Sequence, residues 1–288
     1  MSFILLDGGM GQELVRRLGQ PATPLWSVDV IRDRPDLVTA AHGDFLRAGA
    51  DVITLSSYSA TPSRLAGAGR EGEFESLQAA ALAAARRARD EVTSKALIAG
   101  CLPPLPGSYR PEDRFNARET TAEYERIVAA QADGVDLFLC ETLPSVDEAR
   151  LATRAARRAG KPVWTALTVD EHDGRILRSG ETVAQATAAA LEEGADAVLI
   201  NCSPPEAVTI ALQIVLERAP VAGAYANGFR TVAPLKAAGT VDALEAREDL
   251  SPDGYADLAT AWAKAGATII GGCCEISPAH INAIHRRR

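Results

Sequence analysis

The chain is 288 residues long and 47% apolar, with no charged or low-complexity tract long enough for disorder, so it reads as a globular protein with one large core. Its 38 acidic and 30 basic residues give a formal charge of −8, mixed along the sequence, which excludes a basic surface for nucleic acid. The opening Met1-Ser-Phe-Ile-Leu-Leu-Asp7 resembles neither a membrane span nor a leader, and five cysteines without secretory features favour metal or thiol chemistry in the cytoplasm over a disulfide framework.

Short β-rich runs alternate with helical stretches from the start. Phe3 to Asp7 precedes a helix over Gln12 to Leu18, and a helix over Asp36 to Ala48 precedes the run Asp51 to Ser56. The alanine-rich Glu73 to Glu91 leads into Ala96 to Cys101, and Thr120 to Ala132 leads into Asp136 to Glu141. Ser145-Val-Asp-Glu148 has the spacing of a capping box and opens the helix before Val163 to Val169. Ala197 to Cys202, Val221 to Asn227 and Thr268 to Cys274 complete eight strand and helix units over residues 1–288, at about 36 residues each. That spacing predicts a single-domain α/β protein, a (β/α)8 TIM barrel, and no glycine-rich dinucleotide fingerprint follows any strand.

Four helices run out through a shared junction: Ala48-Gly-Ala-Asp51, Asp133-Gly-Val-Asp136, Glu193-Gly-Ala-Asp196 and Ala265-Gly-Ala-Thr268. Glycine there is expected to close the helix in the left-handed conformation. The long irregular segments, Gly19 to Arg34, Ser57 to Gly72, Leu102 to Arg118, Asp170 to Gly180 and Gly228 to Asp249, all follow strand C-termini. In a barrel this asymmetry marks the C-terminal face as the working face.

That face would gather Asp7, Tyr58, Glu141, Cys202, Asn227, Cys273 and Cys274. Strand alternation predicts that Glu141 points into the barrel with Leu139 and Leu137, that Cys140 points out to the helices, and that Cys202 shares the inward face with Ile200 and Val198. Gly271-Gly272 is expected to let the backbone leave the pleat so that both neighbouring thiols reach the mouth. Three converging thiols suit Zn²⁺ at about 2.3 Å in tetrahedral geometry, and three protein ligands leave one position open, the mark of a catalytic site. Ser203-Pro-Pro-Glu206 and Ser277-Pro278 read as N-caps that would aim helix dipoles at the thiolates.

With these residues in view, the chain resembles the homocysteine S-methyltransferase family from Leu5 to about Ile284. The matching motifs are Leu6-Asp-Gly-Gly-Met-Gly-Gln-Glu-Leu14, Leu25-Trp-Ser27, Ala48-Gly-Ala-Asp51, Glu141-Thr-Leu-Pro144, Asn201-Cys202 and Ile270-Gly-Gly-Cys-Cys274. The resemblance implies a zinc ion held by Cys202, Cys273 and Cys274, with the sulfur of homocysteine at the open position and Asp7 and Glu141 binding its amino-acid part. A cationic methyl donor would then yield methionine. Length and the Leu-Trp-Ser motif are most similar to the bacterial branch that uses S-methylmethionine or S-adenosylmethionine. The donor-side loops depart from the family pattern: Ser59 stands where glutamine is usual, Gly100-Cys-Leu-Pro-Pro104 replaces Gly-Ser-x-Gly-Pro, and Tyr225-Ala-Asn-Gly-Phe229 replaces Tyr-Pro-Asn-Ser-Gly.

Simpler roles stand beside these. Cys101 is a core residue or a fourth thiol that closes the site, which would make the protein a non-catalytic zinc-binding or thiol-binding barrel. A betaine-like donor, or another thiol or selenol acceptor, fits the same residues. Asp7 could be a turn residue, Glu141 an ion-pair partner, and Trp26 and Tyr58 loop packing or contacts to a sulfonium. His42, His172, His280 and His285 are expected at the surface or in caps.

Overall fold

The computed structural model describes residues 2–19, 25–93, 95–105, 116–236 and 244–288, apart from the side chains of residues 26, 235 and 236. From the N-terminus come β1 (Ile4–Leu5), α1 (Met10–Leu18), α2 (Trp26–Asp33), α3 (Pro35–Arg47), β2 (Val52–Thr54), α4 (Pro62–Gly67) and α5 (Phe74–Val92). Then follow β3 (Leu97–Leu102), α6 (Ala117–Gln131), β4 (Leu137–Leu143), α7 (Val146–Arg157), β5 (Val163–Leu167) and α8 (Val183–Glu192). The last part holds β6 (Ala197–Asn201), α9 (Pro205–Leu216), β7 (Ala222–Tyr225), α10 (Ala233–Lys236), α11 (Pro252–Ala265), β8 (Ile269–Ile270) and α12 (Pro278–His285).

The strands are parallel in the order β1-β8-β7-β6-β5-β4-β3-β2, and β2 returns to β1 where Leu6 pairs with Val52. Asp7 N–H donates to Val52 O at 3.0 Å and Asp51 N–H to Leu5 O at 2.7 Å, which closes the expected eightfold barrel. Strands buried on both faces explain why their sequences are continuous apolar runs rather than alternating ones. Leu139, Trp164, Leu199 and Ile269 fill the barrel, while Phe138, Cys140, Val198 and Ile200 pack outward with the helix faces. Cys140 therefore faces the helices as expected. The expectation for β6 is corrected, because Val198 and Ile200 face outward.

The repeated junction has a physical purpose beyond its glycine. Its aspartate reaches back to an amide in the first two residues of the preceding strand: Asp51 Oδ2 accepts from Leu5 N at 2.8 Å, Asp136 Oδ2 from Ile98 N at 2.7 Å, and Asp196 Oδ2 from Val163 N at 2.8 Å. Gly49, Gly194 and Gly266 take positive φ as expected. Gly134 does not; it lies in a 3₁₀ turn where a Cβ would come within 2.3 Å of the Leu82 side chain, so close approach is what selects glycine there.

Several local expectations shift. The segment after β1 is not irregular throughout but carries α2, and α4 lies in the segment after β2. Ser145 caps α7 by accepting from Glu148 N at 3.3 Å, but the Glu148 carboxylate accepts from Leu105 N at 3.1 Å, tying the β3 loop to α7. Ser277 does cap α12, whose His280 Nδ1 accepts from Ser277 N at 3.1 Å. Ser203 is no N-cap: Pro204 precedes α9, and the Ser203 hydroxyl is spent on Thr168 Oγ1 and Val169 N, both at 3.0 Å.

His42 is also corrected. It is fully buried in α3, both ring nitrogens lack a partner among the described residues, and burial lowers its pKa to about 3. A histidine with a lowered folded-state pKa contributes stability that is present above its unfolded value near 6.5 and is lost as pH falls toward 3. Between pH 7 and pH 5 that loss is about 2 kcal/mol. Urea unfolding of the metal-free protein at the two pH values, compared with His42→Leu, is expected to show this loss only with the histidine present.

Candidate functional site

The C-terminal ends of the strands surround a cavity of about 230 Å³ whose wall includes Asp7, Tyr58, Glu141, Cys202, Tyr225, Cys273 and Cys274. Among the described residues, no lysine, arginine or histidine lines it. Buried acids without a cation make a site that selects for positive charge.

Cys202, Cys273 and Cys274 converge with their sulfur atoms all within 4.8 Å of one another, so that they could hold one metal ion. Cys202 Sγ lies 3.8 Å from Cys274 Sγ, and Cys273 Sγ lies 4.0 Å from Cys274 Sγ. The sequence motif produces this through close packing rather than through unusual glycine conformations. A Cβ on Gly271 would sit 2.5 Å from Leu6 Cβ, and one on Gly272 would sit 2.1 Å from Ile276 Cγ2, so both positions must lack a side chain. The turn is then pinned from two sides: Gly272 N–H donates to Asp7 O at 3.0 Å, and Cys273 N–H to Ala226 O at 2.9 Å.

Cys202 reaches the cavity by leaving strand geometry, with φ at 47°. Its amide donates to Tyr225 O at 3.2 Å, and its carbonyl accepts from Thr168 Oγ1 and Arg178 Nη2, both at 3.3 Å. Thr142 and Glu275, at φ 62° and 66°, are the other described non-glycine residues in the left-handed region, next to Glu141 and Cys274 respectively. Such conformations cost about 1–3 kcal/mol each and persist where surroundings enforce them. Asn201 enforces one: its Oδ1 accepts from Thr142 N at 3.0 Å and its Nδ2 donates to Thr142 Oγ1 at 2.8 Å. A single side chain on β6 thus fixes the backbone that follows Glu141 on β4.

Glu141 lies on the inward parity of β4 with Leu137 and Leu139, and its Oε1 accepts from the Cys101 thiol at 3.0 Å. Cys101 is buried and stands outside the three-thiol cluster. Asp7 is held by Thr54, whose amide donates to Oδ2 at 2.8 Å. Burial pushes the Asp7 carboxyl up to about 8 against the pull of the Thr54 amide, and the Glu141 charge adds to the rise. Burial likewise pushes Glu141 up to about 7, countered by the Cys101 hydrogen bond and reinforced by Cys202. Cys273 and Cys274 are held well above the usual thiol range, first by hydrogen bonding with Cys202. A cation bound beside Asp7, Glu141, Cys273 and Cys274 would offset these rises and favour their ionised forms.

The remaining expected residues divide. Tyr58 lines the cavity, but the Arg64 guanidinium lies 5.2 Å from its ring centroid, so one face is already engaged. Trp26 opens α2, and its side chain lies outside the described residues. Asn227 is fully buried and does not line the cavity; its Oδ1 accepts from Phe229 N at 3.2 Å and shapes the turn after β7. Sequence reasoning missed Tyr225, Asn201 and Arg178 as parts of the site. The inward parity of β7 was the available signal for Tyr225.

The model for the family described as homocysteine S-methyltransferase matches residues 4–288. A homocysteine S-methyltransferase from Escherichia coli (strain K12) is 32% identical, covering 99% of this chain and 94% of that protein. A selenocysteine Se-methyltransferase from Brassica oleracea var. italica is 27% identical, covering 99% and 88%. Among solved structures, the metallated form of the homocysteine methyltransferase MmuM from Escherichia coli superposes with a TM-score of 0.83 at 28% identity, covering 100% of this chain and 97% of the other. A match along nearly the whole length, carried by a barrel whose mouth gathers the three thiols, places the chain in the homocysteine S-methyltransferase family.

Proposed function

We propose that the protein transfers a methyl group from a sulfonium donor, S-methylmethionine or S-adenosylmethionine, to the sulfur of L-homocysteine, with zinc held by Cys202, Cys273 and Cys274. The observation that carries this reading is the three-thiol cluster inside a cavity lined by the buried acids Asp7 and Glu141. Four sulfurs about 2.3 Å from a tetrahedral zinc lie about 3.8 Å apart. The sulfur separations of 3.8 and 4.0 Å already approach that spacing, so the residues fit the metal. Bound there, zinc would keep the acceptor's sulfur a thiolate at neutral pH.

The chain's own groups do the rest. Asp7 and Glu141 would receive the ammonium of homocysteine, whose charge would return both carboxyls to their ionised form. The Cys101 hydrogen bond and the Thr54 amide hold these two carboxylates in place. Tyr58, on the cavity wall, would serve the donor side, where an aromatic face suits a sulfonium. The sulfur lone pair forms the new bond to the methyl carbon while the donor's carbon–sulfur bond breaks, its electron pair remaining on the departing thioether. No proton moves in that step, so alignment of the reactants rather than a general base supplies the rate.

The selenol-accepting relative favours selenohomocysteine or a related selenol as a further acceptor. A closed four-sulfur site is disfavoured because the Cys101 thiol is engaged by Glu141. The test is methionine formation from homocysteine by zinc-loaded protein with S-methylmethionine, S-adenosylmethionine and glycine betaine offered separately. Turnover with a sulfonium and none with betaine is expected; absence of turnover with every donor overturns the reading.

A further inference from the structure

Tyr225 ends β7 on the same inward face as Gly223, and its ring packs in the apolar layer with Leu6, Leu139, Leu199 and Ile269. The side chain is 3% exposed, and its hydroxyl has no hydrogen-bond partner among the described residues. It nevertheless forms part of the cavity wall beside Cys202 and Cys273. A buried hydroxyl left unsatisfied is costly, so a partner that arrives with substrate is the economical explanation. The charged neighbours acting on the phenol are Glu141, Cys273, Cys202 and Cys101, all of them acids. Burial keeps the phenol protonated, so among acids it can serve as a donor. Glu141 already accepts from Cys101, and the three thiols face one another.

Resting on the reading that the acceptor's sulfur docks at these thiols, we propose that the Tyr225 hydroxyl donates a hydrogen bond to that sulfur. The bond is strongest to the anionic sulfur and weak to the thioether that methylation leaves, so it favours binding of the thiol substrate over retention of the product.

The test compares zinc-loaded wild type with Tyr225→Phe, after metal analysis shows equal loading, by calorimetric titration with L-homocysteine and with L-2-aminopentanoate, which carries a methyl in place of the thiol. Homocysteine affinity is expected to fall about 10- to 100-fold in the variant while L-2-aminopentanoate affinity stays unchanged. An equal loss for both amino acids, or a loss for neither, overturns the proposal. Should the variant fail to load metal, the tyrosine ultraviolet difference spectrum of the wild type decides: a band raised by homocysteine and not by L-2-aminopentanoate supports the contact, and no such difference overturns it. If the wild type itself binds the two amino acids equally, the docking of sulfur at the thiols fails as well. Discrimination that survives in the variant removes only the role of Tyr225.

Discussion

Cys274→Ser is expected to leave the barrel folded and strip it of its metal. The residue is half-buried on a turn whose backbone is pinned independently by Asp7 O and Ala226 O, so the far-ultraviolet circular dichroism should match wild type. A hydroxyl replaces one of three soft sulfur donors, and the remaining two thiols cannot hold zinc against a competing chelator. Metal content should fall below about a tenth of an ion per chain, and methyl transfer about a thousandfold or more, equivalent to roughly 4 kcal/mol of transition-state stabilisation. Cys140→Ala is the control: that thiol faces the helices, so metal content is expected to remain at the wild-type level even if the core loosens. Metal loss from Cys140→Ala, or full retention by Cys274→Ser, would contradict the ligand set.

The second large effect is expected at a residue that need not touch metal or substrate. Asn201→Ala removes both hydrogen bonds that hold Thr142 at φ 62° and leaves the buried Thr142 amide unsatisfied. A stability loss of about 2–4 kcal/mol follows, seen as a fall of roughly 3–7 °C in Tm. Glu141 precedes the released residue, and Cys202 follows Asn201 itself, so two functional positions lose their reference together. A 10- to 100-fold loss of metal affinity is expected beyond the stability change, in line with the effect of removing groups that orient ligands. A stability loss with unchanged metal affinity would reduce Asn201 to a purely structural part.

The barrel was legible in the sequence because eight units each carry a strand-length apolar run and a helix, and four of the short returns share a glycine-containing junction. The thiol cluster was legible because Cys202 and the Cys273-Cys274 pair end strands in that count. Side-chain direction at the strand ends was not legible. Alternation placed Glu141 correctly, since β4 stays regular through Leu139; Cys202 does reach the cavity as expected, but through its positive φ and not by sharing a face with Val198 and Ile200, which point outward. Gly271 and Gly272 were recognisable as special, yet the cause is the proximity of Leu6, distant in sequence, and of Ile276, which the turn folds back over Gly272. The burial of His42 and the spent Ser203 hydroxyl likewise depend on tertiary neighbours that local spacing does not encode.

The aspartates at positions 51, 136 and 196 sit where strands begin, at the opposite end of the barrel from the thiols. Strand alignment is therefore decided at one rim and chemistry is carried out at the other. The active rim holds three left-handed residues and long loops, while the side-chain ties of the three aspartates lie away from it. Donor preference is then free to diverge by loop exchange within an unchanged frame, and injury to the aspartate rim would cost yield of folded protein while leaving the choice of substrate as it was.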